Sequence, residues 1–362
     1  MRSTKTPRST GGTRSTRGRR GTTRVRHPAA GLALLLVLAA AGCAARDGAA
    51  DATDAAASAS PSGSASHSAA PATGYAPYVS ATTASDLDTA GSPTTYNLAF
   101  VVSSGSGCVP RWGGTQAVDD PAVAARVAEL KESGATVRVS FGGASGQELA
   151  ATCDSAAELA GAYGAALDAA GSTRADFDIE GDDLTDSASV ALRSQAIALL
   201  QRERSGLEVS FTLPVMPSGL DSGSLALLES ANDHGVQVST VNLMTMNYGE
   251  SWTGDMGDYA VTSAEAAHTQ LERVFGLSDA AAWKGMALTS MIGVNDVAGE
   301  TFTLSDAAQV RAFAAGKGIA WVSSWASFRD RRCGDGSAGD DAATECSGVV
   351  QEDGAFARAL SG

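Results

Sequence analysis

The sequence offers little that resembles a metal site. Its five cysteines include no Cys-x-x-Cys pair, and its four histidines show no ligand spacing. A zinc site is therefore the weaker interpretation of the cysteines. In an exported protein, the even set of four cysteines after Cys43 suggests two disulfides instead. Cys333 and Cys346 close a short loop rich in Gly and Asp, which leaves Cys108 to pair with Cys153.

Acidic residues are absent before Asp47, whereas the first 26 residues carry nine of the 26 Lys and Arg residues. An apolar run of 14 residues follows and ends at Cys43, which is typical of a secretory signal and too short for a stable membrane-spanning helix. Residues 40–43, Ala-Ala-Gly-Cys, are similar to a bacterial lipobox, whose cysteine is lipidated after cleavage. We therefore expect residues 1–43 to be a signal peptide. The exported chain would be either a cell-surface lipoprotein anchored to the membrane through Cys43 or a released extracellular protein.

Residues 44–73 contain no aromatic side chain and no apolar periodicity. They are mainly Ala, Ser, Gly, Asp and Pro, which cannot bury enough apolar surface to fold and so predict a disordered linker. Removal of the signal would leave 17 basic and 40 acidic residues, a net charge of −23. Such an acidic surface argues against nucleic acid or anionic lipid as a binding partner. Residues 74–362 are expected to form a single domain.

Apolar, β-branched segments alternate with Ala-rich segments of helical character along this domain. Strands are predicted at Tyr75–Ser80, Tyr96–Val102, Thr136–Phe141, Arg174–Glu180, Leu207–Leu213, Val238–Met246, Lys284–Met291 and Ile319–Trp325. Helices are predicted at Pro121–Ser133, Ser155–Ala170, Ser187–Arg204, Ser224–Asp233, Ser263–Phe275 and Ser305–Ala315. This alternation predicts an α/β fold, a (β/α)8 TIM barrel. A doubly wound sheet is the alternative, but no glycine-rich nucleotide loop follows the first strand.

The fourth predicted strand carries three acidic side chains in alternation with apolar ones. Because successive side chains of a strand point to opposite faces, Asp176, Asp178 and Glu180 project to one side, away from Phe177 and Ile179. Three carboxylates at close quarters cannot all ionise cheaply, so at least one pKa should be raised, as a general acid requires. The alternative is an exposed edge strand with a solvated acidic face.

Active sites of TIM barrels lie at the carboxyl ends of the strands. The unusual residues of this sequence cluster there, at Ser140-Phe141-Gly142-Gly143, Glu180-Gly181, Met246-Asn247-Tyr248, Met291 and Trp325. This distribution favours a functional role for Glu180.

These segments together resemble glycoside hydrolase family 18, the chitinases and their relatives. Residues 176–180 look like the end of the family's D-x-x-D-x-D-x-E signature, and residues 140–143 look like its S-x-G-G segment. Residues 212–214, 241–249, 291–296 and 325–348 are similar to the compact bacterial chitinases of the family. The resemblance runs from about Tyr75 to the last residue, and it implies a TIM-barrel catalytic domain.

The resemblance implies a retaining mechanism in which the substrate's own 2-acetamido group is the nucleophile. Glu180 would be the general acid and then the base, Asp178 would hold the acetamide, and Asp176 would keep a shared proton behind it. Met246, Asn247, Tyr248, Met291 and Trp325 would bind the sugar, with Trp325 as its floor. A buried Trp that closes the barrel is the alternative for Trp325.

Two positions depart from the family pattern. The first Asp of the signature corresponds to Thr173, where we expect only a structural effect. Asn247 stands where the compact bacterial group usually has Asp. An amide can still form hydrogen bonds but supplies no negative charge, so we expect activity with altered pH dependence.

The expected function is hydrolysis of β-1,4 bonds in chitin or N-acetylglucosamine oligosaccharides, by a monomer, without metal or cofactor. One alternative is an endo-β-N-acetylglucosaminidase that acts on glycans. The other is a non-catalytic chitin-binding surface protein.

Overall fold

The computed structural model describes residues 72–105, 107–336 and 345–362. The predicted signal peptide, Cys43 and the linker up to residue 71 lie outside the described residues, and strand β1 begins at Gly74, where the domain was predicted to start.

The strands, in chain order, are β1 Gly74–Tyr75, β2 Tyr78–Ser80, β3 Thr95–Ser103, β4 Pro110–Trp112, β5 Gln116–Ala117, β6 Thr136–Gly142, β7 Arg174–Asp178, β8 Glu208–Met216, β9 Gly219–Leu220, β10 Val238–Met244, β11 Met286–Met291, β12 Gly293–Val294, β13 Thr301–Phe302 and β14 Trp321–Trp325. The helices are α1 Pro121–Lys131, α2 Ala156–Ala170, α3 Asp182–Thr185, α4 Ser187–Glu203, α5 Ser222–Asp233, α6 Met256–Phe275, α7 Asp279–Lys284, α8 Leu304–Lys317 and α9 Ala355–Ser361. No helix of the described segments is long and apolar enough to cross a membrane.

The predicted first strand, Tyr75–Ser80, is divided in two by Ala76 and Pro77. β1 pairs in parallel with β14, and β2 pairs in parallel with β3. The remaining parallel strands run in the order β14, β11, β10, β8, β7, β6, β3. Segment 74–80 therefore pairs with β14 at its start and with β3 at its end. Together with the seven strands from β14 to β3 it makes eight parallel strand positions, and their order closes into the predicted barrel.

The period-2 alternation of the strands separates a polar barrel interior from an aromatic outer layer. Ser140, Asp176 and Ser210 lie opposite one another in register on β6, β7 and β8. The residues that follow them, Phe141, Phe177 and Phe211, also lie in register and stack with centroid distances of 5.3 and 5.7 Å. Tyr163 of α2 packs edge-on against Phe177, at 4.9 Å. This outer layer anchors β7, whose other face carries the acidic residues.

Both predicted disulfides are present. Cys108 bonds to Cys153 with Cα atoms 4.5 Å apart, and Cys333 bonds to Cys346 with Cα atoms 5.1 Å apart. The competing zinc interpretation is wrong for these cysteines, since their sulfurs are bonded to each other.

Several strand ends differ from the prediction, and three of them lie near the site or a neighbouring helix. β7 ends at Asp178 rather than Glu180, although Ile179 N–H still donates to Thr212 O of β8, at 3.0 Å. β10 ends at Met244 rather than Met246. β11 begins at Met286 because Lys284 ends helix α7. Ile179 and Met246 continue the apolar alternation past the last ladder residues of β7 and β10, so the pattern alone overestimated the length of these two strands.

Candidate active site

Asp176 is the most heavily hydrogen-bonded acid of the barrel interior. Its Oδ2 accepts from Tyr78 Oη at 2.9 Å and Ser140 Oγ at 2.7 Å, and its Oδ1 accepts from Ser210 Oγ at 2.7 Å and Thr212 Oγ1 at 2.8 Å. The side chain is 1% exposed. Four neutral hydroxyl donors around one carboxylate stabilise its ionised form without a bonded cation. Asp176 is therefore held in one position by four hydroxyl groups, beneath the next acid along the strand.

Gly142 and Gly143 allow β6 to come close to the acidic strand. Gly143 N–H donates to the carbonyl oxygen of Asp178 at 2.8 Å. A Cβ on Gly142 would collide with that same carbonyl, and one on Gly143 would contact the ring of Phe100. Both residues have positive φ, 96° and 86°, which glycine adopts without strain. The Ser-x-Gly-Gly segment thus supplies one donor to Asp176 and two close backbone contacts beside Asp178.

Asp178 and Glu180 are hydrogen-bonded to each other. Burial raises the pKa of Asp178 well above its usual range, and the charges of Glu180 and Asp176 raise it further. Burial also raises the pKa of Glu180, while its hydrogen bond with Asp178 lowers it and the charge of Asp296 raises it. One proton on the pair, donated by Asp178 to Glu180, lets the two carboxyl groups lie in contact without two adjacent negative charges. This is the raised pKa that three carboxylates on one face predict.

Both acids face a cavity of about 340 Å³ at the carboxyl ends of the strands. It is lined by Tyr78, Phe100, Ala144, Ser145, Asp178, Glu180, Thr212, Met244, Met246, Asn247, Thr289, Asp296, Trp325 and Phe328. Asp178 Oδ1 and Asn247 Oδ1 are buried and have no hydrogen-bond partner among the described residues. Two such acceptors in the cavity wall suit a ligand that brings N–H or O–H donors.

Four aromatic rings form one side of the cavity. Trp325 stacks on Phe100 at a centroid distance of 5.5 Å, and Tyr78 and Phe328 pack edge-on against Trp325 at 5.8 and 6.2 Å. Trp325 and Phe100 are half-buried, so their rings are accessible from the cavity. A cis peptide bond joins Trp325 to Ala326. Trp325 is therefore a half-buried residue of the cavity wall, and the alternative of a fully buried Trp that closes the barrel is wrong.

The structure brings together six of the eight residues predicted for catalysis and substrate binding. Asp176, Asp178, Glu180, Met246, Asn247 and Trp325 lie in or directly beneath the cavity. Met291 has no exposed surface and is not in the lining; it pairs in register with Trp325 and belongs to the core. Tyr248 is also buried and outside the lining, and its ring packs against Trp252 and Tyr259 at 6.4 and 5.7 Å. Neither residue contacts the cavity, because its apolar surface is covered by neighbouring side chains.

Sequence reasoning missed several residues of this site. Phe328 lies in a short 3-10 turn, Ser327–Arg329, and the only signal for it was an aromatic residue three positions after Trp325. Thr212 has two roles, since it lines the cavity and also donates to Asp176. Tyr78 was not predicted as a site residue, and its hydroxyl donates to Asp176 while its ring lines the cavity.

Comparison with known proteins supports the resemblance seen in the sequence. No protein-family model matches the chain. The crystal structure of the catalytic domain of a hyperthermophilic chitinase from Pyrococcus furiosus superposes with a TM-score of 0.70 and 30% sequence identity, over 80% of this chain and 94% of that one. This chain belongs to glycoside hydrolase family 18. The family membership and the barrel fold predicted from the sequence are both confirmed.

Two curated proteins are similar to this family 18 chain in sequence. A probable bifunctional chitinase/lysozyme of Escherichia coli (strain K12) is 34% identical over 275 residues, or 71% of this chain. Endochitinase 11 of Metarhizium anisopliae is 33% identical over 274 residues, again 71% of this chain. The matched region spans 31% and 52% of the length of these two proteins.

Proposed function

We propose that this protein is a chitinase that hydrolyses β-1,4 bonds next to N-acetylglucosamine, in chitin or its oligosaccharides, by a substrate-assisted retaining mechanism. The observation that carries the proposal is the hydrogen-bonded pair of Asp178 and Glu180 in the wall of an aromatic-lined cavity. Similar proteins carry chitinase names, and mutants of the Pyrococcus furiosus domain have been crystallised with chito-oligosaccharides. Chitin fragments are therefore the substrate class that these likenesses favour.

The aromatic side of the cavity suits a pyranose ring. The C–H bonds on one face of such a sugar pack against an indole ring, and Trp325 offers a half-buried indole backed by Phe100. Stacking at this position presents the bond to be cleaved to Glu180, which lines the same cavity. The 2-acetamido group then lies against Asp178, whose Oδ1 has no other partner among the described residues.

In the first step, the proton of the Asp178–Glu180 pair is on Glu180, and Glu180 transfers it to the glycosidic oxygen. The bond from C1 to that oxygen breaks as the acetamide carbonyl oxygen bonds to C1, which forms a positively charged oxazolinium ring. Asp178, now a carboxylate, accepts a hydrogen bond from the acetamide N–H and stabilises the positive charge. In addition to burial, the charge of Asp176 raises the pKa of Asp178, which favours the return of a proton to Asp178 between cycles, and four hydroxyl donors hold Asp176 beneath it.

In the second step, water attacks C1 from the side that the leaving group vacated. Glu180 takes a proton from that water as the bond from C1 to the acetamide oxygen breaks. Two displacements at C1 return the original β configuration, and the Glu180 proton is restored for the next cycle. No step in this sequence needs a metal ion or cofactor.

The decisive test compares wild-type protein with Glu180→Gln on a chromogenic chitobioside. The glutamine keeps the size of the side chain but cannot donate an acidic proton, so hydrolysis should fall by about 10²–10⁴-fold, the typical contribution of a general acid. Glu203→Gln, at the exposed end of helix α4, is the control for loss of one negative charge and should retain full activity. If wild type and Glu180→Gln are equally inert while both bind chitin, the protein is a chitin-binding protein and the enzymatic proposal fails.

We also propose that the protein acts outside the cytoplasm, as a surface lipoprotein or a released enzyme. The two disulfides support export, since such bonds persist in oxidising compartments. Expression of the full chain with Cys43→Ser distinguishes the two forms. A lipoprotein loses its membrane association in this variant, whereas a released enzyme keeps the same distribution between cells and medium.

A further inference from the structure

Glu300 is a buried acid that the proposed mechanism does not use. Its side chain is 1% exposed, and it immediately precedes strand β13. Its Oε1 accepts from Gly249 N–H at 2.8 Å, whereas its Oε2 is buried without a hydrogen-bond partner among the described residues. Burial raises the pKa of Glu300, and the nearby backbone N–H groups of Asn247 and Tyr248 lower it. Within the described residues, no basic side chain forms an ion pair with it. Burial of a carboxylate that is held only by backbone N–H groups costs free energy of folding, which indicates that this acid serves a function.

The three N–H groups belong to the loop that follows β10 and forms one wall of the cavity. Met246 and Asn247 of this loop line the cavity. Asn247 has φ 54°, in the left-handed region, which asparagine enters more readily than other non-glycine residues but still at a cost in free energy. The carboxylate of Glu300 accepts from Gly249 N–H, two residues after Asn247, and so it holds the backbone of the loop on that side of the left-handed residue.

The support behind Glu300 is rigid. β12 and β13 pair as a small antiparallel hairpin, and Asn295 at its turn donates to Met291 O and Gly293 O, both at 2.9 Å. Arg329 Nη2, with no exposed surface, donates to Ile292 O at 3.0 Å and to Val294 O at 2.8 Å. The hairpin is therefore fixed to the last barrel strand before Glu300 reaches across to the loop.

We propose that Glu300 is a positioning residue of the sugar site, whose buried carboxylate fixes residues 246–249 against the cavity without touching substrate. The inference rests on the proposed function, because it assigns the control of sugar affinity to this acid. Removal of the carboxylate frees Asn247 to leave its left-handed conformation, and the wall then loses the shape that meets the sugar.

The kinetic test is Glu300→Ala on a chito-oligosaccharide. KM should rise by about tenfold or more with a much smaller change in kcat, since misplacement of a binding group by about 1 Å can cost up to about 10²-fold. Glu300→Gln keeps one carbonyl oxygen for the N–H groups and should fall between Glu300→Ala and wild type. It also serves if the alanine variant fails to fold. Glu250→Gln removes an exposed charge from the same loop and is the matched control, with kinetics expected within about twofold of wild type. An unchanged KM in Glu300→Ala overturns the inference.

A double-mutant cycle tests whether Glu300 affects sugar affinity through the backbone conformation of residue 247. Asn247→Gly accepts positive φ without the carboxylate, so Glu300→Ala should cost much less affinity in the Asn247→Gly background than in wild type. Equal costs in both backgrounds would contradict an action through residue 247.

Hydrogen exchange separates this inference from the proposed function. Peptides that cover residues 246–249 should exchange their amide hydrogens faster in Glu300→Ala than in wild type, whether or not the protein hydrolyses chitin. An inactive wild type with this faster exchange defeats only the chitinase proposal. An active wild type with unchanged exchange and KM in the variant defeats only the role of Glu300.

Discussion

The side-chain amide of Asn247 lies 3.5 Å from a carboxylate oxygen of Asp296, and both residues line the same cavity as Glu180. The sequence resemblance predicts a carboxylate where this chain has Asn247, and in this protein Asp296 places a carboxylate beside the Asn247 side chain. Asp296 also acts on Glu180, since its charge raises the pKa of the general acid. Asp296, which lies beside Asn247, thus contributes to the electrostatic field at the catalytic proton.

Asn247→Asp should move the pH–rate profile upward. A second negative charge near Glu180 further raises the pKa of this acid. Because Glu180 is active in its protonated form, the loss of kcat with rising pH should begin at a higher pH than in wild type. Asn247→Gly, which tolerates the positive φ but adds no charge, is the control. A profile that is the same in Asn247→Asp and wild type would contradict the electrostatic role of this position.

Asp296→Asn should have the opposite effect. The substitution keeps the shape of the side chain and removes the charge that raises the pKa of Glu180, so this pKa falls. The alkaline limb of kcat should therefore move to lower pH, which a profile measured at saturating substrate reports directly. An alkaline limb that stays in place, or moves to higher pH, would show that Asp296 does not act on the acid.

Gly142→Ala should destabilise the protein and reduce activity. The new Cβ collides with the carbonyl of Asp178. The alanine would also have to adopt φ 96°, a backbone conformation that residues with a Cβ rarely adopt. Backbone strain of this kind costs about 1–3 kcal/mol in the free energy of unfolding, before the collision is counted. Gly105→Ala is a matched control, with φ 92° and no atom within 4 Å of the new Cβ. Denaturant unfolding should show a larger loss for Gly142→Ala, and equal losses would contradict a close approach at Asp178.

The two disulfides should contribute unequally to stability. The bond between Cys108 and Cys153 spans 45 residues and the bond between Cys333 and Cys346 spans 13. The loop-closure model assigns them about 4 and about 3 kcal/mol. Paired Cys→Ser variants, compared by denaturant unfolding, should therefore show the greater loss for Cys108 and Cys153. The reverse order would contradict the entropic account.

The features that depend on the two-residue periodicity of a strand were predictable from the sequence. Alternation along residues 174–180 placed three acids on one face, and the register of Ser140, Asp176 and Ser210 carries that pattern across three strands. The cysteine pairing was also predictable, because one pair closes a short loop and leaves a single alternative. These features depend on local spacing or on the regular geometry of a barrel.

Contacts between loops were not predictable in the same way. Glu300 meets the backbone of Gly249 across 51 residues of sequence, and nothing in either segment marks the pair. Met291 and Tyr248 belong to segments that reach the cavity, yet both are buried outside its lining. Resemblance identified the segment, but packing against neighbours such as Trp252 decides where each side chain lies.

The most direct test of the proposed mechanism is the configuration of the first product. Proton NMR during hydrolysis of a chito-oligosaccharide, recorded before the anomers equilibrate, reports whether the new reducing end is β or α. Substrate-assisted catalysis by Asp178 and Glu180 predicts the β anomer, because two displacements occur at the same carbon. An initial α product would mean a single displacement by water, which would contradict the proposed roles of both acids.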